Sequence, residues 1–422
     1  MNFQVTKIGQ ALSGHSGIAE LMHELGAALQ DSGGAEMLML GGGNPAAIPQ
    51  MQLLWREQWR RLLEQEPDRL DRALVNYDPP GGSPAFRRAM ADYLRRECGW
   101  TCDEKNVVVM PGGQAAFFDL FTLLAGDDGN RKILFPIAPD YIGYANQGLH
   151  PEAFVAIPGA IEELPDHTFK YRIDFDRLRA ALTPEIAAMC LSCPTNPSGN
   201  VIDAAELAAL RELAAAHEIP LILDQAYGMP FPGAIYTDWQ PVWDENLIVS
   251  ISLSKLGLPG VRTSVIVAHE RITAALANMN AVLALANGNI GQVLLLPLLE
   301  GDRLSRCARD IIRPYYEDKC RLANSVLRAA LGDRVPFALH ASEGAFFLWL
   351  WLKDCPVSAA ELYQRLKSRQ VLVVPGHYFF FGLAEPWQHQ SECLRITYSQ
   401  PESVVREGLQ ILAEEVIAAY GG

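Results

Sequence analysis

What this chain lacks sets its first bounds. Its 422 residues contain no uninterrupted apolar run of the roughly 18 residues that cross a bilayer. The densest apolar run, Ala345 to Leu352, is only strand length, so no membrane segment is expected. The opening Met1–Gln10 has no basic stretch leading into an apolar one, so no signal peptide is expected either. Positive charge is scarce: 35 Lys and Arg stand against 49 Asp and Glu, a formal net charge of -14. An acidic surface argues against nucleic acid or an anionic membrane as a partner. It leaves room for a small anion held by local positive charge in a cleft. No G-x-x-x-x-G-K-[ST] loop for a nucleoside triphosphate is present. Gly41-Gly42-Gly43 lacks the G-x-G-x-x-G spacing of a dinucleotide site and runs into Pro45, which disfavours a nicotinamide dehydrogenase.

The eight cysteines are scattered. Cys190 and Cys193 form one C-x-x-C, but Cys193 leads into Pro194-Thr195-Asn196-Pro197, a turn rather than the helix N-terminus a redox pair uses. Cys98 and Cys102 lie four apart, but the cysteines do not gather the four ligands in compact pairs that a zinc site wants, so no metal is expected. Reduced, mostly buried cysteines in a cytoplasmic protein are the expectation.

What is present reads as an ordinary globular α/β chain, 49% hydrophobic and 20% charged. Candidate strands are Asn106–Met110, Lys132–Phe135, Ala187–Ser192, Pro220–Asp224, Leu247–Ile251 and Ser264–Ala268. They are rich in Val, Ile and Leu and do not alternate cleanly, which predicts strands buried on both faces of a mostly parallel sheet. Asp203 and Glu206 mark a helix start, with Leu207, Leu210 and Leu213 on one face. Beyond about residue 300 the texture changes. A long helix from Asp302 to Ala330 is predicted, then strands at Ala345–Leu352, Val371–Val374 and Cys393–Thr397. A closing helix carries Val405, Leu409, Leu412 and Val416 at helical spacing. The expected division is an N-terminal arm with part of a small domain over 1–50, a large domain over 51–300 and a small α+β domain over 301–422.

In open parallel sheets, ligands bind beyond the carboxyl ends of the strands. Four such ends carry chemistry here. Pro111-Gly112-Gly113-Gln114 opens a helix, and small residues there leave backbone N–H groups free for a phosphate, although any strand-to-helix turn looks similar. Cys193 to Gly199 is a proline-stiffened turn that presents Asn196. Asp224 ends an apolar strand, where a carboxylate is poorly solvated unless it meets a cation or caps a helix; Tyr227 follows. Ser252-Leu253-Ser254-Lys255, with Arg262 soon after, gathers two hydroxyls, an amine and a guanidinium in a glycine-bent loop. A lysine in such a loop is ordinarily solvated, but a desolvated amine makes a nucleophile.

Each piece is weak alone, but their order is specific. The series resembles the fold type I aminotransferase family along the whole chain. Further stretches strengthen the likeness: His15-Ser16-Gly17-Ile18, Gly43-Asn44-Pro45, Asn76-Tyr77-Asp78, Pro139-Asp140-Tyr141-Ile142-Gly143-Tyr144, Glu343-Gly344-Ala345, Phe347 to Trp351 and Val374-Pro375-Gly376-His377. They point to the branch of the family that uses L-valine and pyruvate.

The resemblance implies a seven-stranded, mostly parallel sheet in the large domain and pyridoxal 5'-phosphate as cofactor. It implies that Lys255 joins the cofactor covalently and that Asp224 pairs with its pyridine nitrogen. Asn196 and Tyr227 bond the ring oxygen, and Tyr141 stacks on the ring. Gly113, Gln114, Ser252, Ser254 and Arg262 hold the phosphate. Tyr77 reaches the phosphate of a second subunit, which implies a homodimer with sites at its interface. Arg395 binds the substrate carboxylate, with Asn196 and the Gly43 backbone beside it. His15, His377 and Tyr144 are candidates for the pocket wall or, equally, for satisfied structural residues. Two departures stand out: Gly113 occupies a position usually held by Ser or Ala, and the loop from Lys255 to Arg262 is one residue short.

These residues suit transamination. Breaking a Cα–H bond leaves a carbanion that needs an electron sink, and a protonated pyridine supplies one. Asp224 favours that proton, and Lys255 can carry the Cα proton. Small amino-acid and 2-oxo-acid substrates share a carboxylate for Arg395. Other small aliphatic amino acids remain open as substrates. So does a lyase on the same scaffold, although Arg395 weighs against decarboxylation. A cofactor-binding regulator would need a DNA-binding module, and the residues before Pro45 are too few for one.

Overall fold

The computed structural model describes residues 4–14, 16–30, 37–126 and 130–421. Fifteen strands appear among the described residues, in three sheets. The large sheet has seven, from β2 (Val107–Met110), β3 (Lys132–Ala138), β4 (Phe154–Pro158), β7 (Ile186–Ser192), β8 (Leu221–Asp224), β9 (Leu247–Ser252) and β10 (Ser264–Val267). Their order is β2-β10-β9-β8-β7-β3-β4. All neighbours run parallel except β10, which is antiparallel to β2 and β9. Strands β2 and β7 to β10 are buried at every position, in keeping with their Val, Ile and Leu content. Strand β4 was not among the candidates. It is an edge strand, half-buried, and it ends on Pro158.

The second sheet joins β5 (Ala160–Leu164), β6 (Thr168–Arg172), β11 (Phe337–His340), β12 (Phe347–Leu352), β14 (Val374–Pro375) and β15 (Cys393–Thr397). The β5–β6 hairpin reaches it by pairing β6 in parallel with β11. A small third sheet ties the start of the chain to its end: β1 (Leu38–Met39) lies parallel to β13 (Val371–Leu372).

Three expectations need correction. The strand expected from Ala345 begins at Phe347, because Ala345 has φ 61° and its carbonyl accepts from the hydroxyls of Tyr236 and Tyr398. The strand expected over 371–374 is two short ones on different partners. The single long helix expected from Asp302 is a short helix Arg303–Arg306, a wide π-turn segment Cys307–Ile312 and a helix Arg313–Leu331. Pro314 has no N–H to give, so the regular ladder cannot run through it, and the wide turns sit just before it.

The register places the site. Ser192 pairs with Asp224, Asp224 with Ser250, Ser252 with Ser264, and Ser264 with Met110. The loops after β2, β7, β8 and β9 therefore emerge side by side at one edge of the sheet.

Candidate active site

Asp224 closes β8 with its side chain buried. Its Oδ2 accepts the Tyr144 hydroxyl at 2.6 Å and its Oδ1 accepts the Ala226 N–H at 3.0 Å. Burial pushes its carboxyl up to about 6, against those two hydrogen bonds and the nearby Lys255 charge. Among the described residues no ion pair within 4.0 Å neutralises it. Of the two expectations for Tyr144, pocket wall or satisfied structural residue, the structure favours the second. Its ring is fully buried among Phe117, Phe135 and Tyr141, with centroids 4.7, 5.8 and 5.1 Å away, and it stands behind Asp224.

Lys255 lies in a tight 3₁₀ turn, Ser254–Leu256, just past β9. Its Nζ donates to the Gly43 carbonyl at 2.6 Å and sits 5.1 Å from the centre of the Tyr227 ring. Burial, with the charges of Arg395 and Arg262, brings the amine down to about 8, against the pull of Asp224. A cavity of about 260 Å³ opens beside it. Pro45, Ala46, Ile48, Met51 and Trp55 wall it together with Ile312 and Tyr316. The Trp55 indole donates to the Leu256 carbonyl at 3.0 Å, and the Tyr316 hydroxyl accepts the Ala46 N–H at 2.7 Å, which holds the cavity walls to the lysine turn.

Arg395, in the middle of β15, is 2% exposed. Nη1 donates to Asn196 Oδ1 at 2.8 Å and Nη2 to the Gly41 carbonyl at 2.7 Å; Nε has no partner among the described residues. The guanidinium carbon lies 4.4 Å from the centre of the Phe347 ring and 5.1 Å from that of Phe379. Burial pulls its pKa down to about 10. A guanidinium buried beside neutral oxygens and aromatic faces, with no carboxylate among the described residues, is costly unless an anion joins it. Tyr227, also buried, turns its ring edge-on to Phe346 and Phe347.

The helix Gly113–Leu124 starts without any side-chain cap, so its first N–H groups remain open. Gly112 has φ 93°, and a Cβ there would stand 2.2 Å from Arg262 Nη2. Only glycine lets that guanidinium lie across the helix start. Gly113, in contrast, has nothing within 4 Å of its Cβ position. Arg262 itself takes the left-handed conformation, φ 46°, and donates to the Pro259 carbonyl at 3.2 Å. Ser252 Oγ accepts the Ser254 N–H at 3.2 Å. The Gln114 side chain donates to the Gly143 carbonyl at 2.7 Å and accepts the Tyr141 hydroxyl at 3.4 Å, which ties Tyr141 to the helix start.

Lys255, Asp224, Tyr227, Asn196, Arg395, Tyr141, Gln114, Gly113, Gly43, Ser252, Ser254 and Arg262 thus gather around the sheet edge. Tyr77 does not: it is 81% exposed, beyond the helix Pro67–Val75. His377 is exposed and packs on the Tyr378 ring, 4.1 Å between centroids. His15 lies outside the described residues. Sequence reasoning missed Phe347 and Phe379 as the plates around Arg395, Gly41 as its acceptor, and the buried Asp140. Only the proximity of Asp140 to Tyr141 gave a signal.

The chain matches the family described as aminotransferase class I and II over residues 48–412. It is 43% identical to the valine–pyruvate aminotransferase of Escherichia coli K12 over 98% of each chain. The crystal structure of valine–pyruvate aminotransferase from Salmonella typhimurium LT2 superposes with a TM-score of 0.88 at 42% identity, covering 96% of this chain and 100% of that one. A putative amino-acid aminotransferase from Psychrobacter arcticum gives a TM-score of 0.95 at 38% identity over the full length of both. The aspartate aminotransferase of Thermus thermophilus, at 22% identity and a TM-score of 0.79, shares the fold.

Proposed function

This chain belongs to the class I and II aminotransferases, of fold type I, and from that premise we propose that it moves an amino group between L-valine and pyruvate. The products are 2-oxoisovalerate and L-alanine, the reaction is reversible, and the two substrates take turns at one site. The observation that carries the reading is Arg395, a buried guanidinium that reaches no carboxylate among the described residues and faces the Asn196 and Lys255 side of the sheet edge.

Pyridoxal 5'-phosphate fits the residues present. Arg262, the uncapped start of helix Gly113–Leu124, Ser252 and Ser254 offer donors to a phosphate. Asp224 offers a buried carboxylate to a protonated ring nitrogen, and Asn196 and Tyr227 offer polar groups to a ring oxygen. The Tyr141 ring offers a stacking face, with Gln114 holding its hydroxyl. When bound, the cofactor supplies an aldehyde that takes up amines and a conjugated ring that accepts the electrons of a broken Cα–H bond.

This chain's residues do the rest. Lys255 would hold the cofactor through its amine and, freed by the incoming substrate amine, would serve as the base and acid that carries the Cα proton. With its amine brought down to about 8, a useful fraction is unprotonated near neutral pH. Arg395 clasps the substrate carboxylate with two N–H groups, which fixes which bond at Cα faces the lysine. Retaining the carboxylate in this clasp favours proton removal over decarboxylation. The apolar cavity walls suit a small aliphatic side chain, and such a wall separates one methylene from another by only about 1–3 kcal/mol. Valine is therefore a preference among small aliphatic amino acids.

The same reading includes a homodimer. Tyr77 extends from a helix end whose Leu74 and Val75 are 63% and 76% exposed, an apolar strip that a second copy would cover. Tyr77 would then reach the phosphate site of that copy. Residues 51–300 would form the cofactor-binding domain, and 301–422 with part of 1–50 the small one. The pairing of β1 with β13 supports that grouping. All eight cysteines are free, which suits the reducing cytoplasm.

The deciding test is the visible absorbance of the purified protein. A band that bleaches with L-valine and returns with pyruvate supports cofactor, half-reactions and substrate pair together. A band that responds only to other amino acids removes valine. No band after adding pyridoxal phosphate removes Lys255 from its role.

A further inference from the structure

Asp140 is a carboxylate only 1% exposed that no step above employs. It sits just past β3, beside the Tyr141 ring. Three hydrogen-bond donors converge on its side chain. Oδ1 accepts the Tyr141 N–H at 2.6 Å and the Ser192 hydroxyl at 2.5 Å, and Oδ2 accepts the Ser192 N–H at 3.1 Å. With its hydrogen given to Asp140, Ser192 Oγ accepts the Asn196 N–H at 3.3 Å. The Asn196 side-chain oxygen then accepts Arg395 Nη1 at 2.8 Å. The main chain adds a second link: the Asp140 N–H donates to the carbonyl of Phe379, whose ring lies against the Arg395 guanidinium. Residues far apart in sequence are thus joined through one buried carboxylate.

We propose that Asp140 is a positioning residue for substrate binding, holding Tyr141 and Asn196 in one geometry and, through Asn196, aiming Arg395. The inference rests on the reading of Arg395 and Asn196 as substrate-facing groups. An ionised carboxylate is the only side chain of this size that accepts from all three donors and offers none. Asparagine in its place would turn an NH2 group toward an N–H or an O–H, so at least one of the three bonds is lost. Burying a charge here opposes stability, and a well-packed apolar residue would cost less. Its presence is accounted for by what it orients.

The experiment uses the holoenzyme and its Asp140→Asn, Ser192→Ala and double variants. Three quantities are read: the visible cofactor band, the dissociation constant of isovalerate (valine without its amino group) and KM against kcat for L-valine with pyruvate. Asp140→Asn is expected to keep the band, weaken isovalerate about tenfold and raise KM for L-valine by a similar factor, with a smaller fall in kcat. Ser192→Ala is expected to show part of the same loss, and the double variant no more loss than Asp140→Asn alone, because both act through one chain of bonds. Unchanged isovalerate affinity in either single variant, or losses that simply add, would overturn the proposal and leave the aminotransferase reading intact. Should Asp140→Asn fail to fold, Ser192→Ala alone decides by the same affinity. Wild-type protein that neither binds isovalerate nor turns over L-valine would instead remove the reading on which this rests.

Discussion

At the scale of single residues, the site is a balance of buried charges. Lys255, Arg262 and Arg395 gather near Asp224, and each of the lysine and aspartate shifts bears on pH. Asp224 is raised from 3.8 to about 6 in the folded chain, so the native state holds this proton more tightly than the unfolded chain does. Without cofactor, its contribution to stability is present at pH 3 to 4 and is lost as pH rises through about 6. The shift corresponds to a loss of about 3 kcal/mol. Asp224→Asn removes that slope. Melting curves of the two cofactor-free proteins between pH 4 and 7 are expected to converge at the acid end and separate above pH 6, with the variant the more stable. Parallel curves would show that Asp224 is not desolvated as described. Arg395→Ala is expected to raise KM about 100-fold for every amino-acid and 2-oxo-acid substrate alike, since two charge-assisted hydrogen bonds to the shared carboxylate disappear. A loss confined to one substrate would move the carboxylate site elsewhere.

At the scale of elements, the start of helix Gly113–Leu124 is the part whose function depends most on backbone. Adjacent glycines there answer to opposite constraints. Gly112, at φ 93° with Arg262 lying where a Cβ would go, does not tolerate a side chain. Gly113 has open space at its Cβ position. Gly113→Ser is therefore expected to tighten pyridoxal phosphate several-fold, by adding one hydroxyl at the helix start. Gly112→Ala is expected to weaken it at least tenfold, by displacing the guanidinium and straining the turn. Titrating the cofactor-free variants with pyridoxal phosphate measures both, and equal affinities would separate this helix start from the phosphate. The sheet strands were largely legible because burial on both faces writes an unbroken apolar run. Strand β4 was not, because it is short, half-buried and ends on a proline. The turn at Ala345 was hidden inside apolar sequence, because its φ of 61° is imposed by Tyr236 and Tyr398, residues remote along the chain.

At the scale of the whole molecule, Tyr77 is 81% exposed and stands apart from the site of its own chain. If it completes the site of a second copy, defects in Lys255 and Tyr77 lie in different subunits. Lys255→Ala is expected to be inactive and Tyr77→Ala to bind cofactor weakly. Mixed and reassociated, they would form hybrids in which one site has both residues intact. Turnover with wild-type cofactor affinity is then expected to reappear in the mixture, up to about a quarter of the wild-type level for random pairing of active halves. A mixture no better than its components would confine each site to one chain.

The order of motifs along the chain was enough to bring Lys255, Asp224, Asn196 and Arg262 to one edge of the sheet, because parallel strands deliver their ends to the same edge and each motif follows a strand; Arg395, inside β15 of the second sheet, came only from the family resemblance. The sequence also carried the mostly parallel sheet, since runs of Val and Ile without alternation suit strands buried on both faces. What the linear order could not contain is the network between loops: Tyr144 bound to Asp224, Asp140 to Ser192, Asn196 to Arg395, and Phe347 with Phe379 around the guanidinium. Hydrogen bonds and ring contacts of this kind depend on angstrom-scale distances between segments that share no local pattern. Only the packed sheet edge brings those segments within reach, and there tertiary structure decides which polar group meets which.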